Sequence, residues 1–227
     1  MIRACIFDLD GVLVDTAHFH YEAWKRLADS LGFEFTRSDN ERLKGVSRMT
    51  SLDILLEIGS KKISEKKKHE LADLKNNWYV EHISHMTEKD VLPGVLNFLQ
   101  ELKNGGFKLG LGSASKNALQ ILTQTKILRF FDTVIDGSNV EKAKPDPEIF
   151  KKGIEILKVK PAECVVFEDA VAGIEAALAA GTFVIGVGSR EILNKAHVVI
   201  PGFQEMNVKL FHYFTEKYFV KQLNNYE

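Results

Sequence analysis

Asp8 and Asp10 are the residues whose type and spacing point most directly to chemistry. They follow Ala4 to Phe7, a short apolar run with aromatic and β-branched members that reads as a buried strand, and they precede Gly11. A buried strand that ends in carboxylates needs something to neutralise them. An unpaired buried carboxylate is costly, so it gains a proton, a cationic partner or a metal. Side chains two apart on a strand share a face. A turn at Gly11 therefore sends both carboxylates into the crevice at the strand's carboxyl end, where ligands sit in open α/β sheets. The plainer alternative is a polar strand end whose aspartates cap the next turn.

Ser113, Lys144 and the pair Glu168–Asp169 each follow their own strand-like stretch. In a doubly wound sheet those strand ends converge on one edge. Gathered there, the carboxylates repel one another unless a cation joins them. Such oxygen ligands suit Mg²⁺, which keeps waters and a substrate phosphate in its shell. Ser113 precedes a predicted helix, whose free N–H groups favour a phosphate, and Lys144 adds a point cation. This set suits phosphoryl transfer: Asp8 as nucleophile, forming an aspartyl phosphate, and Asp10 as the group that gives and takes the proton of the hydroxyl. Mg²⁺ and Lys144 would neutralise the transferring charge. Taken singly, Ser113 reads as a helix cap, Lys144 as a surface lysine and Glu168–Asp169 as a loop.

The elements that must position these residues follow from periodicity. Residues 16 to 31 have apolar positions at helical spacing, with Asp15 or Thr16 as N-cap and Gly32 as stop; His20 lies on this helix, where a lone histidine reads first as structural. Residues 38 to 85 read as helices with short breaks. One starts at Ser38–Glu41, residues 43 to 48 interrupt, an apolar stretch runs from Leu52 to Gly59, and a longer helix runs from Ser64 to about His85. The lysines at 61 to 68 read as a solvated face. After Asp90 strands and helices alternate: strands at 108–112, 131–135, 164–167, 182–187 and 198–200, with helices between them, one of them capped by Asp146 with Pro147 as its first residue. A final aromatic-rich helix spans 207–222. This alternation predicts an α/β fold with a parallel sheet covered on both faces and an all-helical insert after the first strand. The glycine pairs Gly110/Gly112 and Gly186/Gly188 do not complete a dinucleotide-binding fingerprint.

Composition sets the remaining bounds. The 227 residues are 45% hydrophobic and 27% charged, ordinary for a globular protein with a sizeable core. A net charge of −1 gives no basic field for nucleic acid or an anionic membrane. No apolar run approaches the roughly 20 residues of a membrane span, and the chain reaches Asp8 before a signal-type segment can form. Cys5 and Cys164 fall in strands as small buried residues, which fits a reducing, cytoplasmic setting. A monomer is the default expectation.

At these residues the chain resembles the haloacid dehalogenase (HAD) superfamily, whose motifs stand here as Phe7–Val12, Ser113, Lys144–Pro145 and Glu168–Asp169 and span nearly the whole sequence. The resemblance implies a Rossmann-like core (residues 1–15 and 88–227) with a mobile helical cap (16–87). It also implies Mg²⁺ held by Asp8, Asp169, the Asp10 backbone carbonyl and Glu168. Dehalogenases of the superfamily lack the second aspartate, so Asp10 argues for phosphoryl transfer. Within the superfamily, Asp15–Thr16, His20, Ala23–Lys25, Leu43–Arg48, Lys75–Asn76 and Ser113–Asn117 resemble the β-phosphoglucomutase family. That implies conversion of β-D-glucose 1-phosphate to D-glucose 6-phosphate through β-glucose 1,6-bisphosphate, which also serves as primer. It further implies substrate or phosphate contacts from Thr16, His20, Gly45, Val46, Ser47, Arg48, Lys75, Ser113, Ala114, Ser115, Asn117 and Lys144. Arg48 is the expected anchor of the distal phosphate, a role its guanidinium fork suits. Two alternatives are a sugar-phosphate phosphatase on the same scaffold and a catalytically silent relative; the intact pair Asp8/Asp10 argues against the latter.

Overall fold

Every strand of the sheet runs in the same direction, which is why the residues above meet at one edge. The computed structural model describes residues 1–224. Its strands are β1 (Ala4–Phe7), β2 (Lys108–Gly112), β3 (Thr133–Ile135), β4 (Cys164–Glu168), β5 (Phe183–Val187) and β6 (Val198–Ile200). They form one six-stranded sheet in the order β3-β2-β1-β4-β5-β6, with every pairing parallel. The order reverses at β1, and that switch point is where a ligand crevice opens in such sheets. The expected Rossmann-like α/β fold is therefore present.

Both faces of β1 are buried, as parallel sheets require. Cys5 and Phe7 enter one apolar cluster, Ala4 and Ile6 the other. Phe7 stacks on Phe167 of the neighbouring strand with centroids 4.6 Å apart and planes within 3°. Such a pair contributes about 1 kcal/mol beyond its burial. It holds β1 and β4 together one residue before the acidic positions of each.

Helices α1 (Ala17–Ser30), α2 (Arg37–Glu41), α3 (Arg48–Ile58) and α4 (Glu65–Ile83) lie between β1 and β2 in sequence. They pack on one another through Trp24, Leu27, Leu52, Leu55, Leu56, Leu71 and Ala72. Tyr79 and Ile83 at the end of α4, and Met86 after it, instead join the cluster under the sheet. Helices α5 (Val95–Asn104), α6 (Ala118–Gln124), α7 (Glu148–Leu157), α8 (Val171–Ala179) and α9 (Val208–Asn224) complete the layers. No helix among the described residues is long and apolar enough to cross a membrane.

Several boundaries differ from the sequence expectation for local reasons. α2 is capped two residues earlier, by Thr36, whose hydroxyl accepts from the Asp39 N–H while the Asp39 carboxylate accepts from the Thr36 N–H. The break at 43–48 ends at Ser47: its hydroxyl accepts the Thr50 N–H, and Arg48 is already helical. β3 begins at Thr133 and not at Phe131, because the Asp132 carboxylate occupies the Leu109 N–H at 2.7 Å. α7 begins one residue late, at Glu148, yet Asp146 still caps it by accepting the Glu148 N–H at 3.0 Å.

Candidate active site

β1 ends at Phe7, and the Asp8 N–H still donates to Phe167 O at 2.9 Å, so Asp8 leaves the sheet at a fixed position. Its carboxylate accepts from Lys144 Nζ at 2.5 Å, and the same ammonium donates to Glu168 Oε2 at 2.8 Å. The other Glu168 oxygen accepts the Ala170 N–H at 3.1 Å. Asp8, Glu168 and Asp169 each offer an oxygen within 4.8 Å of the others. One lysine cannot neutralise three carboxylates. Burial, with Glu168 nearby, pushes the Asp8 carboxyl up to about 7, and burial with Glu168 and Asp8 raises Asp169 as well. Lys144 is held in its charged form: burial opposes the charge, but Asp8 and Glu168 outweigh it. A left-handed turn at Gly11 (φ +79°) makes this cluster possible, since a Cβ there would collide with the Asp169 carboxylate.

Asp10 is placed differently. Its carboxylate is absent from that acidic group and turns toward the helices, where it accepts from the Thr16 hydroxyl and from Tyr79 Oη at 3.3 Å. His20 Nε2 lies 3.7 Å away. Burial opposes ionisation, but the nearby His20 imidazole and the bonds from Thr16 and Tyr79 outweigh it and lower the Asp10 carboxyl. Thr16 is thus fully buried with its hydroxyl committed to Asp10; it occupies the N-cap position of α1 but makes no cap bond. Thr16 thus stands beside Asp10, and its hydroxyl reaches that carboxylate.

His20 Nδ1 is 2.9 Å from Lys75 Nζ, which sits over the rings of Trp24 and Tyr79 at 4.5 and 4.8 Å. Burial, with Arg48 nearby, lowers the Lys75 ammonium to about 7, and burial with Lys75 lowers His20. When Lys75 is charged, its ammonium donates to Nδ1 and the imidazole proton stands on Nε2, facing Asp10. The chain Lys75–His20–Asp10 therefore runs from the helical layer into the core.

All of this opens on one cavity of about 540 Å³. Asp8, Asp10, Asp169, Lys144, Ala114, Ser115 and Asn117 line its sheet side; His20, Gly45, Val46, Ser47, Arg48 and Lys75 line its helical side. Ser113 and Glu168 stand behind the wall: the Ser113 hydroxyl accepts the Ser115 N–H at 3.1 Å and so shapes the loop. Asn117 Nδ2 donates to Asn76 Oδ1 at 3.0 Å, joining the α6 side to α4. Sequence reasoning assigned no role at the site to Tyr79, Trp24, Asp73, Lys116 or Lys142. Trp24 stands four residues after His20, and Tyr79 four after Lys75. That spacing puts each pair on one helix face, a signal that was available.

The family model for haloacid dehalogenase-like hydrolases matches residues 5–187. The β-phosphoglucomutase of Bacillus subtilis is 41% identical over 223 residues, covering 97% of this chain and 99% of that protein. The phosphorylated carbohydrates phosphatase of Thermotoga maritima is 35% identical over 192 residues, 79% of this chain and 82% of that one. The crystal structure of a β-phosphoglucomutase from Clostridium difficile superposes with a TM-score of 0.93 at 43% identity, over 97% of this chain and 100% of that one.

Proposed function

Because the chain belongs to the haloacid dehalogenase-like hydrolase family, we propose that it is a phosphomutase of the β-phosphoglucomutase kind, interconverting β-D-glucose 1-phosphate and D-glucose 6-phosphate. The observation that supports this reading is that one cavity carries cationic side chains at two separate places, each suited to a phosphate. The Asp8–Lys144 pair lies on its sheet side and the Arg48 guanidinium on its helical side. A hydrolase acting on a single phosphate needs only the first.

Phosphorylated Asp8 meets the C6 hydroxyl of β-glucose 1-phosphate. Ionised Asp10 takes the hydroxyl proton as the oxygen bonds to phosphorus and the Asp8–phosphorus bond breaks. The product, β-glucose 1,6-bisphosphate, turns around. Asp8 then attacks the C1 phosphate, Asp10 returns its proton to the departing C1 oxygen, and glucose 6-phosphate leaves. Thr16 and Tyr79 hold Asp10 throughout, and Lys144 balances charge at Asp8. Closure of the helical layer, latched in part by Asn76 and Asn117, excludes water that would hydrolyse the aspartyl phosphate. The free thiols of Cys5 and Cys164 suit the cytoplasm, where such sugar phosphates are handled.

The buried acidic group fits a hard divalent cation, because its ligand atoms are all carboxylate oxygens and its negative charge exceeds what Lys144 supplies. Asp8, Glu168 and Asp169, with the Asp10 carbonyl, would hold Mg²⁺, which when bound neutralises charge on the transferring phosphoryl group. A pH dependence follows. The Asp8 carboxyl is raised to about 7 in the fold, against about 3.9 unfolded. Between those values the folded state binds a proton that the unfolded state does not, so this group's contribution to stability falls as pH rises. Mg²⁺ binds the ionised form and reverses that loss. The rise in Tm on adding MgCl₂ is therefore expected to be larger at pH 8 than at pH 5.5; a rise independent of pH contradicts the assignment.

Phosphorus NMR of the protein with β-glucose 1-phosphate, Mg²⁺ and a trace of β-glucose 1,6-bisphosphate tests the reaction itself. Glucose 6-phosphate with little free phosphate is the expected outcome. Free phosphate as the main product makes the chain a sugar-phosphate phosphatase. Arg48→Ala is expected to raise KM for the sugar phosphate by roughly 10- to 100-fold, the loss of about 1.5–3 kcal/mol typical of a charged hydrogen bond. Its hydrolysis of acetyl phosphate, which has no second phosphate, should change little. Equal losses on both substrates remove the distal-phosphate role.

A further inference from the structure

Arg48 is not unpartnered. It is the first residue of α3, its side chain is 24% exposed, and its NH1 lies 3.8 Å from Asp73 Oδ1 on α4. That distance is too long for a hydrogen bond, and among the described residues Asp73 is the sole ion-pair partner of Arg48. Asp73 is 77% exposed on its side chain and lines the same cavity. Both residues sit on helices packed together through Leu52, Leu55, Leu56, Leu71 and Ala72. The pair therefore belongs to the helical layer itself, and closing that layer over the sheet does not separate it.

A carboxylate beside a phosphate-binding guanidinium weakens phosphate binding. It offers the cation an alternative partner, which the incoming dianion must displace. For a residue that served binding alone this would be a defect. For a mutase it answers a specific need, because the bisphosphate must release its distal phosphate from Arg48 and turn end for end before the second transfer. We propose that Asp73 is the counter-ion that competes with the distal phosphate for Arg48 and thereby sets how fast the bisphosphate lets go. This rests on the mutase reading above. Asp73 acts through Arg48 as a positioning residue, and its effect runs opposite to that of the groups that bind.

The test uses the full chain with Asp8→Asn as background, so that no phosphoryl transfer occurs, in MgCl₂ buffer. β-Glucose 1,6-bisphosphate is the probe. Its Kd is measured by calorimetry, and its dissociation rate by the tryptophan fluorescence that Trp24, on the cavity wall, supplies. Asp73→Asn keeps the shape and removes the charge. It is expected to tighten the Kd and slow dissociation by roughly two- to fivefold, the range that freeing Arg48 from one partly exposed ion pair allows. Arg48→Ala should weaken binding, and adding Asp73→Asn to Arg48→Ala should then change nothing. If Arg48→Ala weakens binding but Asp73→Asn leaves it unchanged or weakens it, the competition is disproved and the distal-phosphate seat survives. If Asp73→Asn tightens binding equally without Arg48, Asp73 acts on the ligand directly and the proposal fails. If Arg48→Ala has no effect, the distal seat fails and takes the proposal with it.

Discussion

Asp8→Asn is expected to lower turnover by about 10⁴-fold or more, the scale seen when a catalytic nucleophile is removed, with no phosphoryl label left on the protein after incubation with acetyl phosphate and Mg²⁺. The amide nitrogen cannot attack phosphorus, and Glu168 does not replace the lost carboxylate, having one oxygen on Lys144 and the other on the Ala170 N–H. The loss should be chemical and not structural. Asp8 is one of three clustered carboxylates facing a single lysine. Replacing it by an amide relieves repulsion in the metal-free protein while Lys144 keeps Glu168. The melting temperature without Mg²⁺ should therefore hold or rise, and the gain on adding Mg²⁺ should shrink. A variant that retains label or a tenth of its activity rules out Asp8 as the nucleophile.

Asp10→Asn is expected to separate the two halves of the chemistry. The amide oxygen still accepts from Thr16 and Tyr79, so the side chain keeps its place, but it neither takes nor returns a proton. Mutase turnover should fall by roughly 10²- to 10⁴-fold, the range of general acid–base catalysis. Phosphorylation of Asp8 from acetyl phosphate should persist, because acetate leaves without needing a proton. Labelling stoichiometry measured beside kcat decides the point: loss of both together means that Asp10 is needed to build the site and not only to move a proton. Thr16→Val gives a milder version, since it removes one donor from the Asp10 carboxylate.

The two substitutions trace back to one asymmetry. Asp8 is surrounded by like charge and a buried ammonium, and its carboxyl is pushed up. Asp10, two residues on, is surrounded by donors, and its carboxyl is lowered. Two identical side chains acquire different chemistry because β1 ends beside the acidic end of β4, where Glu168 and Asp169 stand, whereas the turn at Gly11 delivers Asp10 to the helices.

Much of this was legible in the chain. The apolar run before Asp8 and the strand–helix alternation after Asp90 are period and composition signals, and they carried the parallel sheet, the helical insert and the convergence of Asp8, Lys144 and Asp169. The glycine after Asp10 was readable as a turn because it needs positive φ and the close approach of Asp169. Cap positions were less legible. Thr36 and Ser47 compete with neighbours of similar chemistry, and only the finished backbone selects which hydroxyl meets which N–H, whereas Asp146 before Pro147 was readable.

By itself the sequence determined which residue types stand at the strand ends, and so which chemistry the crevice can support, because strand direction and side-chain period are local properties. The tertiary structure alone decided what each charge faces. Thr16 reads as a helix cap until Asp10 comes within reach of its hydroxyl. No spacing shows that Trp24, Tyr79 and His20 enclose Lys75, or that the packing of α3 on α4 sets Asp73 beside Arg48. Those pairings join residues far apart in sequence across an interface built by apolar packing. No spacing rule encodes them, and Coulomb energies, which depend on distance and burial, take their values only once that interface has formed.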